Sequence, residues 1–523
     1  MLFNSYFFIF LYLPFVLAGY YLIARINHKF SAAWLAIASL FFYAYWNPIY
    51  IFLLMSSIIC NYAISLSILS AGNKKNKSIR KKQLLIIAIV CNFLLLGYYK
   101  YANFFINSFN SIADTHFSLG EIILPLGISF FTFTQLAFLV DTYQGKVKEH
   151  NFIHYLLFVT YFPHLIAGPV LHHKQMMPQF ANSATYRINY ENLAVGVSIF
   201  VLGLAKKVLI ADSLAEYATP IFKAVSDGQV LMLFEAWIGA ITYAFQLYFD
   251  FSGYSDMAIG LSLMFNVRLP LNFNSPYKVT NIIDFWRRWH ITLSTFLRDY
   301  LYFSLGGNRK GVFRRYINLM ITMLLGGLWH GAGWTFIAWG GLHGIYLMIN
   351  HGWRELKARF VWMQWVSMPR LSSTITFVAI IVAWVFFRSE SFTAAWSMLS
   401  SMTGINGISI PSYHGKSQAF IEKYTDLNLT YRGLIYITHL KGLGNIIISM
   451  IVIWFFPNVE QLFKHYKPTW DDMNGTSTTQ ATGRFYKWLD WKPTAYHAIA
   501  FSIIFIICIT SLTRVSEFIY FQF

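Results

Sequence analysis

Long apolar runs separated by short polar punctuation dominate the chain. Runs over about 5–26, 31–46, 49–69 and 83–106 approach or reach the roughly 20 residues that cross a bilayer as a helix. Later runs at about 192–211, 316–330, 334–349, 374–387, 444–456 and 498–512 repeat the pattern. No stretch shows the period-two alternation of a membrane β-barrel strand. The middle of the chain is less regular. Residues 122–140 contain Pro125 and Gly127, and residues 154–173 contain Pro163, Gly168 and Pro169. Such breaks at membrane depth are tolerated where backbone is buried in protein or lines a cavity, which predicts broken or re-entrant segments at both places. Residues 232–265 are long enough for two crossings around a polar insert from Tyr248 to Asp256. Residues 281–302 are too charged to span and read as one amphipathic helix lying at the interface.

Composition agrees with the pattern. The chain is 56% hydrophobic and 12% charged, where a soluble domain has about a quarter of its residues charged. The reading is an all-α polytopic membrane protein with the lipid bilayer as its main partner. The net charge of +18 is explained by Lys and Arg gathered in cytoplasmic loops beside anionic headgroups. No nucleic-acid-binding motif accompanies it, so no nucleic-acid partner is expected. Lys74, Lys75, Lys77, Arg80, Lys81 and Lys82 lie in one short loop, which the positive-inside rule places in the cytoplasm. Counting back through three spans puts the N-terminus outside. The first 26 residues lack a basic n-region and a small-residue cleavage site, so they read as a retained span. Cys60, Cys91 and Cys508 stand singly in apolar runs and are expected to be buried thiols, with no metal site implied. The organisation expected is a transmembrane core over 1–463, followed by a C-terminal cytoplasmic segment and last helix over 464–523.

Chemistry concentrates at His330, inside the apolar and aromatic stretch 323–344. Ionisable groups within a membrane are costly and by default functional. Glycines at 327, 331 and 333 permit close approach on both sides of it. A basic patch at Arg309, Lys310, Arg314 and Arg315 marks the cytoplasmic end of the preceding helix. A helix starting near Tyr316 reaches His330 after about 21 Å, at about 1.5 Å per residue, within a hydrocarbon core about 30 Å thick. The ring is expected to pack between Trp329 and Trp334. His343, on the returning helix, reads as structural, and His164, His172 and His173 as loop residues. Asp250, Ser252 and Asp256 invite a nucleophile, but the GxSxG spacing is absent. A polar helix break lining a funnel, or a structural turn, is favoured. Arg287, Arg288, Arg309 and Lys310 serve either as topology signal or as attraction for a phosphorylated donor.

Four stretches together resemble the membrane-bound O-acyltransferase family: GGLWHGAGWTFIAWGGLHG, FWRRWHITLSTFLRDYLYFSLGGNR, YFDFSGYSDMAIGLSLMF and LPLGISFFTFTQLAFLVD. Within it they are most similar to the bacterial branch that contains the alginate O-acetylation membrane protein. The resemblance implies a ring of about 11–13 tilted and broken transmembrane helices around a thinned centre, with funnels from both faces meeting at His330. It places the family's second polar position on His290. It further implies transfer of an acyl group, most simply acetyl, from acetyl-CoA or an acyl-carrier protein on the cytoplasmic side to an extracytoplasmic hydroxyl. Trp286, Arg287, Trp289, Trp329 and Trp334 become candidates, with Asp250, Ser252 and Asp256, for lining the funnel or binding substrate. No tightly bound cofactor is expected, and an extracytoplasmic acyl-transfer partner protein is. The location implied is the bacterial inner membrane. Two readings from other classes stay open: a polytopic transporter without acyl-transfer chemistry, whose broken helices and intramembrane polar groups would look alike, and a scaffold for a secretion complex, which would not need His330.

Overall fold

The computed structural model describes residues 1–71, 75–166, 168–360, 368–408, 440–470 and 489–513, without the side chains of 75–78 and 440–441. All regular structure among the described residues is helical. Among the described residues, four helical stretches are long and apolar enough to cross a membrane: Tyr50–Ser70, Ile79–Ala113, Tyr190–Ser226 and Pro369–Arg388. Shorter apolar helices cover Phe8–Ala24, Gly442–Phe455 and Ala495–Ser511. The chain forms two compact units, one of residues 1–204, 254–272 and 459–512, the other of 205–253, 273–458 and 513–523.

The first unit contains α1 (Leu13–Ala24), α2 (His28–Ala44), α3 (Tyr50–Ser70), α4 (Lys75–Leu96), α5 (Ala102–Ala113), α6 (Ile128–Tyr143), α7 (Phe152–Thr160), α8 (Phe162–Leu165), α9 (His173–Ala181) and α10 (Tyr190–Ala205). Local sequence sets several starts. Asn27 and Asn151 are N-caps whose side chains accept from backbone N–H groups of the first turn, satisfying donors a helix leaves orphaned. A buried polar network ties α3, α4, α6 and α7. Asn61 donates to Asn92 at 3.2 Å and to Gln135 at 3.1 Å, Asn92 donates back at 2.7 Å, and Tyr155 donates to Gln135 at 3.2 Å. Amide hydrogen bonds of this kind specify helix pairing where apolar contact with lipid cannot.

The break expected near Pro125 and Gly127 is present. Gly127 adopts a left-handed φ of 69° and α6 begins at the next residue. The second break is also present, and His172 lies in it, in extended conformation, but His164 and His173 are not loop residues. His164 lies in α8 and is buried, and His173 opens α9 with its ring nitrogen 3.3 Å from the Asp141 carboxylate. The basic loop expected after α3 is short, since the chain is already helical from Lys75; Lys74 lies outside the described residues. The buried-thiol expectation holds for Cys508 alone. Cys60 and Cys91 are exposed, because they sit on outward faces of spanning helices, where lipid supplies the apolar surroundings.

The second unit contains α11 (Asp212–Ser226), the first two-thirds of α12 (Leu233–Met264), α13 (Ile282–Arg288), α14 (Ile291–Phe296), α15 (Gly311–His330), α16 (Trp334–Arg359), α17 (Pro369–Arg388), α18 (Phe392–Met402) and α19 (Leu440–Phe455). Two expectations are corrected here. α12 runs without interruption through Tyr248–Asp256, so there is neither a polar insert between two crossings nor a helix break. The segment lacks proline, and its Asp250 is neutralised inside the protein by Lys207, so the polar residues do not force the backbone out of the helix. The amphipathic stretch 281–302 is not one helix. It divides at Trp289–His290 into α13 and α14, and then continues as a π-helical turn, Leu297–Tyr302.

The core of this unit is aromatic. Tyr243, Phe245, Phe285, Trp339 and Trp384 are each no more than 1% exposed. The α15–α16 hairpin is its central element, and glycine makes the approach possible. A Cβ on Gly327 would lie 2.3 Å from the Phe336 carbonyl oxygen, and one on Gly340 would lie 2.2 Å from that of Met323. The two backbones therefore touch along a seam that admits no side chain.

Candidate active site

His330 is the last residue of α15. Gly331 follows it in an extended conformation, and α16 starts at Trp334. A Cβ at Gly331 would fall 2.2 Å from the Phe336 ring, so a glycine there is what lets the chain turn directly behind the imidazole. The His330 ring is surrounded edge to face by Trp329 at 4.8 Å, Trp339 at 5.1 Å and Phe387 at 5.3 Å. The expected flanking pair Trp329 and Trp334 is thus corrected to Trp329 and Trp339. Trp334 is 54% exposed, because the first residue of α16 points away from the hairpin seam, and the inward face comes round more than a turn later.

His290 meets His330 with ring centroids 6.3 Å apart. It sits in the break between α13 and α14 with φ 44° and ψ 54°, a left-handed backbone that is uncommon for a non-glycine residue. Such strain persists only where surrounding structure over-determines it, and it clusters at functional sites. Phe251 packs edge-on against the His290 ring at 4.8 Å, with Phe273 at 6.4 Å and Trp329 at 6.1 Å. The two histidines come from segments 40 residues apart and share Trp329 as a common neighbour.

Of the other candidates, Trp289 and Trp286 belong to the aromatic cluster of the second unit. Trp289 is buried and stacks on Phe285 at 5.6 Å, with Trp384 at 5.0 Å. Trp286 donates its indole N–H to Nδ1 of His343 at 3.3 Å. That bond assigns the remaining proton of a neutral His343 to Nε2. His343 is fully buried, stacked on Phe285 at 6.1 Å and beside Trp339 at 4.9 Å. It is a third imidazole of the same aromatic cluster, and its structural reading gains a partner that sequence did not identify. Arg287 is exposed, while Arg288 pairs with Asp284 one turn earlier at 3.1 Å. Asp250 and Ser252 are buried in this unit, and Asp256 is buried in the first unit. Asp250 lies 2.6 Å from Lys207, which also holds Asp212 at 2.7 Å. Lys207 belongs to a π-helical turn, Lys206–Ala211, a local irregularity common at functional sites. Its pairing could not be read from spacing, since 43 residues separate it from Asp250.

Accessibility ranks the three clustered imidazoles. His330 keeps 8% of its surface open, against 1% for His290 and 0% for His343. A neutral imidazole at the end of a helix, walled by aromatic rings, can take a proton from a hydroxyl placed against it. Among the described residues no group of three or more His, Cys, Asp or Glu is arranged to hold a metal ion.

Comparison with known proteins agrees with this architecture. The chain is 42% identical over 498 residues to the peptidoglycan O-acetyltransferase of Helicobacter pylori, covering 90% of this chain and 92% of that one. It is 45% identical over 407 residues to a probable alginate O-acetylase of Pseudomonas aeruginosa, covering 77% and 75%. A probable alginate O-acetylase of Pseudomonas putida is 37% identical over 532 residues, covering the whole of both chains. The profile of MBOAT, the membrane-bound O-acyltransferase family, matches residues 16–393, a span that contains both His290 and His330. The chain belongs to the membrane-bound O-acyltransferase family.

Proposed function

We propose that this enzyme transfers an acetyl group from a cytoplasmic thioester, acetyl-CoA or an acyl-carrier protein, to a hydroxyl presented from the other side of the membrane. The acceptor is a polysaccharide, a cell-wall glycan or a partner protein that relays the group. The membrane is the bacterial inner membrane, with the N-terminus outside. The relatives named for O-acetylation of peptidoglycan and alginate support acetyl as the group and a surface glycan as its destination.

The observation that carries the reading is the His330–His290 pair, two imidazoles 6.3 Å apart. In the proposed step a nitrogen of His330 removes the proton of the acceptor hydroxyl as its oxygen attacks the thioester carbonyl. The C–O bond forms and the C–S bond breaks. The proton held on His330 passes to the departing thiolate, so the imidazole ends the cycle unchanged. His290, fixed by Phe251 and Trp329, orients a substrate or polarises the thioester carbonyl. Trp286, Trp289 and Trp329 shape the walls.

The test is acetylation of the cell-surface acceptor by His330→Ala protein shown to be inserted at normal abundance. Loss of at least about a hundredfold is expected, within the range of general-base contributions. Full activity would end the assignment and favour a transporter. Cysteine labelling at Ser78 from the cytoplasmic side tests the orientation.

A further inference from the structure

α17 ends at Phe387–Arg388. Phe387 is buried with its ring against His330, and Arg388 is the next residue along the chain. The Arg388 guanidinium sits over the Phe222 ring at 5.7 Å and the Tyr243 ring at 5.9 Å. Among the described residues it has no carboxylate within ion-pair distance and no side-chain hydrogen bond. Asp250, an anion within electrostatic reach of Tyr243, is held by Lys207 at 2.6 Å. The Tyr243 hydroxyl is fully buried and has no hydrogen-bond partner among the described residues.

A guanidinium presents five N–H donors in a planar fork that matches carboxylate and phosphate. Two aromatic faces stabilise the cation but use none of those donors. A partly buried cation whose donors meet no side-chain acceptor among the described residues, next to the ring of a tyrosine with a buried hydroxyl, has the chemistry of an oxyanion site. Direction follows from the helices. α15 rises from the basic residues Arg314 and Arg315, and α17 from Arg370. Both basic ends are cytoplasmic by the positive-inside rule, and the opposite ends of the two helices meet at the His330–Phe387 contact. Arg388 therefore stands on the acceptor's side of His330.

We propose that Arg388, framed by Phe222 and Tyr243, binds a carboxylate or phosphate oxyanion carried by the acyl acceptor and so holds an anionic chain with its hydroxyl at His330. This rests on the acyl-transfer reading and adds the charge of the acceptor to it. An anionic polysaccharide would be selected over a neutral one, and binding would weaken with salt.

The full-length protein in detergent is titrated with four probes: an oligomannuronate, an oligomer of glycerol phosphate, a neutral chitooligosaccharide and acetyl-CoA. Wild type is expected to bind at least one of the two polyanions more tightly than the neutral oligomer. Arg388→Gln should weaken that binding by about tenfold or more, the scale of one charge-assisted hydrogen bond. Arg388→Lys should keep most of it, and Tyr243→Phe, which retains the ring but removes the hydroxyl, should weaken it a few-fold. Acetyl-CoA affinity should not change in any of the three. Failure of both polyanions to bind wild type overturns the proposal. So does equal polyanion binding by Arg388→Gln, or a loss confined to acetyl-CoA, which would assign the guanidinium to the donor. If Arg388→Gln does not fold, the Tyr243→Phe result decides. His330→Ala separates the two readings: it should abolish transfer yet bind the polyanion as wild type does, whereas retained transfer would end the His330 assignment irrespective of Arg388.

Discussion

The ammonium of Lys207 and the carboxylate of Asp250 meet at 2.6 Å, with side chains 1% and 4% exposed. Asp212 brings a second carboxylate to the same ammonium at 2.7 Å. Breaking a buried pair by removing one partner is strongly destabilising, because the charge left behind stays desolvated. Lys207→Met would strand two carboxylates and is expected to cost about 3–5 kcal/mol. Asp250→Asn leaves Lys207 matched with Asp212 and keeps an acceptor, so it should cost only about 1 kcal/mol. Thermal unfolding in detergent, followed by tryptophan fluorescence, checks the order, and equal losses would contradict it.

The glycine seam makes a sharper prediction. Gly327→Ala and Gly340→Ala each drive a methyl group to within 2.3 Å or less of a carbonyl oxygen on the facing helix, and neither backbone can yield without separating α15 from α16. Both variants should lose acetylation by more than about a hundredfold, since small displacements of a catalytic group already have costs of that order. Gly341→Ala is the control. Its Cβ would meet only Leu324 Cδ2, at 3.5 Å, and activity should stay close to wild type. Cell-surface acetyl content measured by mass spectrometry, scaled to protein abundance, reads both.

His290 combines a backbone and a side-chain requirement that can be separated. Its left-handed conformation is tolerated by asparagine and strongly disfavoured by β-branched residues. His290→Asn should fold nearly as well as wild type yet lose activity, because an amide does not reproduce the imidazole. His290→Val should lose both, with an added stability cost of about 1–3 kcal/mol. If valine and asparagine variants unfold at the same temperature, backbone strain does not govern the site.

At the basic end of the hairpin, Arg315 donates to Glu355 at 2.6 Å, joining the first turns of α15 to the last turns of α16. The hydrogen bond from the guanidinium holds the Glu355 carboxyl below its ordinary value of 4.5. The contribution of this link is therefore complete above pH 4.5 and disappears as pH falls through the lower folded value. Glu355→Gln should remove that part of the acid sensitivity by lowering stability slightly near neutral pH while leaving it unchanged in acid. Melting temperatures of the two proteins across acid and neutral pH provide the check.

How much of this was legible depended on whether the signal was local. The deep histidine, the glycine turn behind it and the helix returning to Arg354 and Lys357 could be read from residues 311–359, because hydropathy, glycine and charge mark helix ends directly. The break at Pro125–Gly127 was legible for the same reason. Features set by tertiary contact were not. Helical phase decides that Trp339 and not Trp334 faces His330, and a turn of two or three residues shifts that phase unpredictably. The uninterrupted α12 was missed because a polar run reads as a break until the cation that neutralises Asp250 is seen. The bend at His290 carries no glycine or proline, so nothing in its neighbourhood announced it.

Where two helices touch through bare backbone, neither can slide or roll against the other without collision, and the hairpin holds its length as a gauge block holds a height. The imidazole at its tip is consequently a stationary target. Whatever travels during the cycle must be the substrates, and an enzyme built this way can serve donors and acceptors of different length only by changing the approaches to its histidine, leaving the histidine itself where it is.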